Sequence, residues 1–192
     1  KGTRHDHLDR PPLHRPLDGL RVLVLVGDDY EDLELWYPKL RLEEAGAHVT
    51  VAGAMQGRTY SGKHGYPCTS DAAIADMEAA DFHGILLPGG WMPDKLRRYR
   101  AVTDFVAAIH GARKPIGIIC HGGLIAISAR IVDGGRATGS LGIRDDLVNA
   151  GATWVDEPAF RDGNLVWGRV VEDIPAFCRE LVAALAERRA AK

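Results

Sequence analysis

Lys114-Pro115-Ile116-Gly117-Ile118-Ile119-Cys120-His121-Gly122-Gly123 is the stretch that decides the fold. An apolar run of strand length stops at Cys120, two glycines follow His121, and Leu124-Ile125-Ala126-Ile127 resumes with helix-compatible residues. Hydrolases use the same strand–nucleophile–helix corner to lift a side chain above a sheet. A thiol at a helix N-terminus faces roughly +0.5 of an elementary charge from the aligned peptide dipoles. A free thiol, with a pKa of about 8.5, is only a few per cent ionised at neutral pH, and this setting lowers the pKa. The corner therefore predicts a reactive, ionised Cys120.

Outward from the corner, strands alternate with helices. Leu20 to Val26 is a nearly unbroken apolar run, as suits a parallel strand covered on both faces. Gly27-Asp28-Asp29-Tyr30 turns the chain, and Glu31 to Ala45 reads as a helix with Leu33, Trp36, Leu40 and Leu42 on its apolar side and Gly46 as its stop. His48 to Ala52 is a second strand, and the Gly- and Thr-rich residues 53–70 read as a hairpin or extended excursion. Ile85-Leu86-Leu87, ending in Pro88-Gly89-Gly90, is a third strand; Asp94 to His110 is helical, and Pro115 to Ile119 is the fourth strand. Beyond the corner, a helix runs to about Arg130, Gly142 to Ala150 forms a short helix, Ala159 to Trp167 a hairpin around Asp162-Gly163, and Ile174 to Arg189 a closing helix. The fold class is α/β: a three-layer sandwich around a mostly parallel sheet. Such sheets gather reactive groups beyond the carboxyl ends of their strands. The turns Gly27–Glu31, Pro88–Trp91 and Cys120–Gly123 should therefore meet.

The gross numbers exclude several classes. With 192 residues, the chain has the length of one domain. Its net charge of −2 makes no case for nucleic acid or an anionic membrane, and no apolar run approaches the ~20 residues that span a bilayer. No signal-peptide pattern is present. Cys68, Cys120 and Cys178, odd in number and irregular in spacing, make no disulfide framework, so a reducing cytoplasm is expected. The chain opens on Lys1, as a processed or truncated chain would. Residues 1–19 are polar and proline-rich and read as an extended N-terminal arm before a single catalytic domain over 20–192. Its His5-Asp6-His7 could hold a metal, but the plainer reading is a solvated arm lying on a partner subunit.

If the three turns converge, Glu31, the N–H groups of Gly89 and Gly90, Cys120 and His121 come together. That is an inventory for nucleophilic attack on a carbonyl: a thiolate attacks, and backbone donors from Gly90 and His121 hold the oxyanion. A carboxyl beside the thiolate has its own pKa raised by the like charge, so Glu31 is expected to stay protonated and to donate to sulfur or substrate. The base is harder to place. No histidine follows His121, and no Gly-x-Ser-x-Gly run is present. His83 and His110 read as solvated, and His64 lies upstream. His121 remains, although adjacent side chains rarely face each other and it could instead only cap the helix. Cys68 and Cys178 read as packing.

These residues resemble the PfpI branch of the ThiJ/PfpI superfamily. The matches are Tyr30-Glu31-Asp32-Leu33-Glu34-Leu35-Trp36-Tyr37-Pro38, Gly62-Lys63-His64-Gly65-Tyr66, Leu87-Pro88-Gly89-Gly90, Cys120-His121-Gly122, and Gly142-Ile143-Arg144-Asp145-Asp146-Leu147-Val148-Asn149-Ala150-Gly151, in family order over roughly residues 20–187. The resemblance implies a flavodoxin-like fold of the class I glutamine-amidotransferase type. It implies Cys120 as nucleophile, Glu31 as the acid bonded to it, Gly90 and His121 amides as the oxyanion hole, and Lys63 at the substrate. It further implies that His121 is oriented by an acid from a second subunit, at the position of Asp94, and hence a homodimer or higher assembly. Neither a cofactor nor a metal is implied.

Departures from the family pattern fall around the pocket. Asp94 stands where Glu is common, Gly123 where proline usually follows Cys-His-Gly, Trp91 where an arginine often follows the two glycines, and Ser140 where some members have a tyrosine. The implied activity is a cysteine-dependent hydrolase of deglycase type or a glyoxalase-type lyase, acting on reactive dicarbonyls or their adducts in stress defence. An intracellular cysteine peptidase, and a redox-sensing stress protein or chaperone using the same cysteine, are the alternatives.

Overall fold

In the computed structural model, which describes residues 14–191, seventeen regular elements follow one another with short connections. They are β1 (Arg21–Leu25), α1 (Asp32–Glu44), β2 (His48–Gly53), β3 (Thr59–Ser61), β4 (Pro67–Thr69), β5 (Ala72–Ala73), β6 (Gly84–Leu87), α2 (Met92–Leu96), α3 (Arg100–Gly111), β7 (Ile116–Ile119), α4 (Gly123–Ser128), β8 (Arg136–Ala137), α5 (Arg144–Asn149), β9 (Thr153–Trp154), β10 (Ala159–Asp162), β11 (Leu165–Gly168) and α6 (Ile174–Ala190). Seven strands form one sheet in the order β10-β11-β7-β6-β1-β2-β5. All its pairings are parallel except β10 with β11. The expected α/β sandwich is the observed fold.

The chain leaves β1 for β2 on one side and returns to β6 on the other, so the connection reverses direction between β1 and β6. Open parallel sheets bind their ligands at such a reversal, beyond the carboxyl ends of the strands. The turns after β1, β6 and β7 all open there. The central strands justify their composition: β6 and β7 are buried at every position, with helices covering both faces. The hairpin expected within residues 53–70 is β3–β4, and the one around Gly163 is β10–β11.

Four expectations need correcting. Residues 14–19 are not all arm: Leu17 is fully buried and its N–H donates to Ala45 O, so the domain begins before residue 20. The His5-Asp6-His7 segment lies outside the described residues. The helix expected from Asp94 to His110 is two helices, α2 and α3, divided after Leu96. Neither His83 nor His110 is merely solvated: His83 Nδ1 accepts from Arg21 N, and His110 Nδ1 lies 3.2 Å from Asn164 Nδ2. The fourth concerns the face of α1. Glu34, Leu35, Pro38 and Leu42 point inward, whereas Leu33 and Leu40 are 53% and 54% exposed. Their exposure places a carboxylate, Glu34, inside the protein. No helix among the described residues is long and apolar enough to cross a membrane.

The corner after β7 depends on close backbone approach. A Cβ on Gly122 would stand 2.3 Å from Leu87 O, at the end of the neighbouring β6. Since the obstacle is backbone, a side chain there must push two strands apart. Gly122→Ala is therefore expected to cost about 1–3 kcal/mol in urea unfolding at unchanged m value. A change below ~0.5 kcal/mol would show that the corner relaxes freely.

Candidate active site

The three strand-end turns do converge, around a cavity of about 260 Å³. Glu31, Glu34, Lys63, Gly90, Trp91, Cys120, His121, Ser140, Val170, Val171 and Glu172 line it. Cys120 sits at φ +57°, a left-handed conformation that is rare for a residue with a Cβ and typical of a strained nucleophile corner. That strain swings the neighbouring side chains together: Cys120 Sγ lies 3.3 Å from His121 Nδ1. The rule that adjacent side chains diverge fails here because of this one backbone angle. The indole of Trp91, 60% exposed, packs against His121 with ring centroids 5.4 Å apart.

The oxyanion turn is equally constrained. Tyr30 and Gly90 form an isolated antiparallel bridge, with Glu31 N–H donating to Gly89 O at 3.1 Å and Trp91 N–H to Asp29 O at 2.9 Å. The bonds of this bridge leave the Gly90 N–H unused. Gly90 has φ +81°, and a Cβ on it would lie 2.4 Å from Glu31 N, so only glycine fits. The His121 N–H points at the Cys120 sulfur. Gly90 and His121 thus offer two main-chain donors on the rim of one cavity.

The acid beside the thiol is Glu34, where the sequence pointed to Glu31. Glu34 Oε1 accepts from Gly89 N at 3.0 Å. Oε2 is buried with no hydrogen-bond partner, and the Cys120 thiol is the neighbouring group with which the carboxyl interacts. The contact is tight: a Cβ placed on Gly89 would fall 2.4 Å from Glu34 Oε1 and 2.9 Å from both Cys120 Cβ and His121 N. Burial first, and then the Glu31 carboxylate, push the Glu34 pKa up to about 8, so it is protonated at neutral pH. The behaviour expected of Glu31 belongs to Glu34.

Glu31 instead caps α1. Its Oε2 accepts from Leu33 N at 2.8 Å and Glu34 N at 3.0 Å. The spacing Glu31-x-x-Glu34 was a signal available in the sequence, since a capping residue is followed three positions on by an acid that can fold back. Here the N–H that such an acid would reach is spent on Gly89 O, so Glu34 turns to Gly89 N and the sulfur.

Electrostatics overturns a second expectation. Burial, followed by the Glu34 charge, raises the Cys120 pKa above its ordinary value, against the opposing pull of the His121 N–H and of Lys63. The helix that should have ionised the thiol, α4, is only six residues long. Desolvation wins over a short dipole. Burial, with help from Lys63, lowers the His121 pKa, so at neutral pH this ring is an uncharged base beside a protonated thiol. Burial also raises the pKa of both Cys68 and Cys178, in keeping with their packing role.

Asp94 does not line the cavity. It is exposed on α2, and its Oδ2 pairs with Arg98 Nη2 at 2.7 Å. Val170, Val171 and Glu172 were not anticipated. They follow β11, the parallel neighbour of β7, and so reach the same end of the sheet. Among the described residues, Glu31, Asp32 and His64 are the one group of three potential metal ligands brought close together. Both Asp32 oxygens already accept N–H bonds, from His64 and Tyr66, and Glu31 Oε2 is held by the helix cap. This cluster is accounted for as the anchor of the loop after β3.

The DJ-1/PfpI family model matches residues 20–184. A deglycase of Pyrococcus abyssi is 41% identical over 166 residues, covering 86% of this chain and 99% of its own. General stress protein 18 of Bacillus subtilis is 40% identical over 169 residues, covering 87% and 98%. Among solved structures, a two-domain Anabaena variabilis protein with DJ-1/ThiJ/PfpI-like and ferritin-like domains superposes with a TM-score of 0.85 at 32% identity, over 86% of this chain and 48% of that one. The chain thus spans about half of that protein. Drosophila melanogaster DJ-1beta shares the fold, with a TM-score of 0.81 at 24% identity over 90% and 94%.

Proposed function

Since the chain belongs to the DJ-1/PfpI family, we propose that it is a cysteine-dependent enzyme acting on reactive dicarbonyls or on the adducts they form with amines and thiols. The observation that supports this reading best is the set of three proton-bearing groups around one cavity: Cys120, the neutral base His121 and the protonated acid Glu34. Relatives named deglycase and general stress protein point the same way.

In this reading His121 Nδ1 takes the thiol proton as sulfur adds to an aldehyde carbon, and the N–H groups of Gly90 and His121 stabilise the new oxyanion. A 2-oxoaldehyde then becomes a hemithioacetal. Glu34 gives its proton to the ketone oxygen and, as the carboxylate so formed, takes the C–H proton of the former aldehyde carbon, leaving an enediol. It returns that proton to the former ketone carbon and takes the hydroxyl proton from the sulfur-bearing carbon. This gives the thioester of a hydroxy acid and restores the protonated acid. Water releases the acid and restores the thiol. The dicarbonyl is rearranged internally, so no outside oxidant or reductant is needed. With an adduct as substrate, the amine or thiol leaves with a proton before the same thioester forms.

The test follows methylglyoxal and its hemithioacetal with a small thiol, measuring loss of substrate and appearance of lactate. Protein capped at Cys120 with iodoacetamide serves as the control. Equal lactate from capped and free protein would sink the reading.

The assembly also belongs to this reading. Among the described residues, His121 meets the sulfur and the Trp91 ring but no hydrogen-bonded carboxylate. A second copy supplying Asp94 would complete it. Asp94→Asn is expected to lower kcat roughly 10-fold with KM little changed. An unchanged kcat, or a fully active monomer in sedimentation, would remove the partner's carboxylate from the site.

A further inference from the structure

Glu31 is left with no direct role at the sulfur, yet it is bonded both to the oxyanion turn and to the helix that carries Glu34. Its main-chain N–H grips Gly89 O on the oxyanion turn, and its side chain grips the first turn of α1 through Leu33 N and Glu34 N. Glu34 closes the ring by accepting from Gly89 N. Four hydrogen bonds thus join the acid, its helix and the oxyanion turn, three of them made by Glu31. Glu31 is 3% exposed, and its other oxygen, Oε1, stands 3.6 Å from His64 Nε2 at the cavity rim.

We infer that Glu31 is a positioning residue of the reactive centre, which fixes Glu34 against Cys120 and the oxyanion donors and, through its buried charge, keeps the Glu34 proton in place. The inference rests on the proposed cysteine chemistry only for its effect on turnover. Its electrostatic part concerns the protein without substrate.

The geometry supplies the reason. A capping carboxylate usually faces solvent, where its field is screened. This one is enclosed, next to a second carboxyl on the same helix, and like charges in a shared dry site cannot both ionise cheaply. The Glu31 charge is indeed the second cause, after burial, of the raised Glu34 pKa. The other titratable groups around the cavity and its rim are Lys63, His64 and Tyr66 from the loop after β3, Cys120 and His121 from the corner, and Glu172 from the turn before α6. Asp32, beside Glu31 in sequence, is bonded to the loop backbone.

The experiment measures iodoacetamide alkylation of Cys120 against pH by peptide mass, in the full chain and without substrate. Glu31→Gln keeps an oxygen for both cap bonds and removes the charge. The first ionisation of the Glu34–Cys120 pair, which belongs to the pair jointly, should then move by at least about half a pH unit to lower pH. Glu31→Asp keeps the charge and shortens the reach, so its alkylation profile should stay near that of the wild type while kcat falls roughly 10-fold at unchanged KM. A Glu31→Gln profile that superposes on the wild type overturns the electrostatic role. Wild-type kcat in Glu31→Asp overturns the clamp. Because alkylation needs no substrate, a failed activity assay with a shifted profile would count against the proposed function and leave this inference standing.

Discussion

Cys120→Ala should reduce turnover of any dicarbonyl or adduct by a factor of at least about 10³, with substrate binding largely retained. Of the groups lining the cavity, the sulfur is the one seated on the strained strand-to-helix corner beside a neutral base, and the thioester it forms is one that water can open. His121 and Glu34 hold protons, and Gly90 and His121 offer hydrogen bonds; none of these replaces the nucleophile. Residual activity should resemble that of the oxyanion hole alone. The variant should fold, because Cys120 is half-buried and its loss removes little packing while preserving the Gly122 approach to β6. A thermal melting temperature close to wild type, together with lost lactate formation, is the expected pair of results. Retained turnover would transfer the chemistry elsewhere in the molecule and end the cysteine reading.

Glu34→Gln should have opposite effects on turnover and on stability. The amide can still hydrogen-bond but cannot shuttle a proton, so kcat should fall roughly 10²-fold with little change in KM. Stability goes the other way at high pH. In the unfolded chain a glutamate ionises near its ordinary value, 4.5, whereas in the folded protein Glu34 holds its proton to about pH 8. Between these values the folded state binds more protons than the unfolded state, so stability falls as pH rises. The stability linked to this group is fully present below about pH 4.5 and is lost once pH passes about 8. The slope is about 1.4 kcal/mol per pH unit while only the unfolded state is ionised, and the total is of order several kcal/mol. Glutamine removes the slope. Melting temperatures measured between pH 5 and 8.5 should therefore separate progressively, with the variant the more stable at the alkaline end. Parallel curves for the two proteins would mean that Glu34 is already ionised at neutral pH, and its part as proton carrier would fall.

Both effects stem from a carboxyl that stood in plain view in the Tyr30–Pro38 motif. The sequence marked Glu31, because it sits at the strand end where reactive groups gather. It is indeed at the cavity, but as the cap that holds Glu34. Distinguishing the two required the phase of α1. The apolar residues Leu33, Trp36, Leu40 and Leu42 invite the reading that their face is buried. Leu42 is buried and Trp36 packs partly against the core, but Leu33 and Leu40 are exposed, and Leu35 and Pro38 are packed inward. The choice follows from how α1 meets the sheet and α6, which no local pattern fixes. The same gap explains Val170, Val171 and Glu172: their approach to the site depends on β11 lying parallel beside β7, a pairing between segments nearly fifty residues apart.

By itself, the chain determined where the sheet would run and where it would open. Unbroken apolar runs, glycine turns and the stop at Cys120 are local features, and local backbone preferences act the same way wherever the segment lies. Tertiary structure alone decided which acid meets the sulfur, that His121 turns toward Cys120, and that the thiol rests protonated. Those outcomes depend on one left-handed backbone angle, the rotation of one helix and the exclusion of water from a shared cavity, and each exists only once distant segments have closed around it.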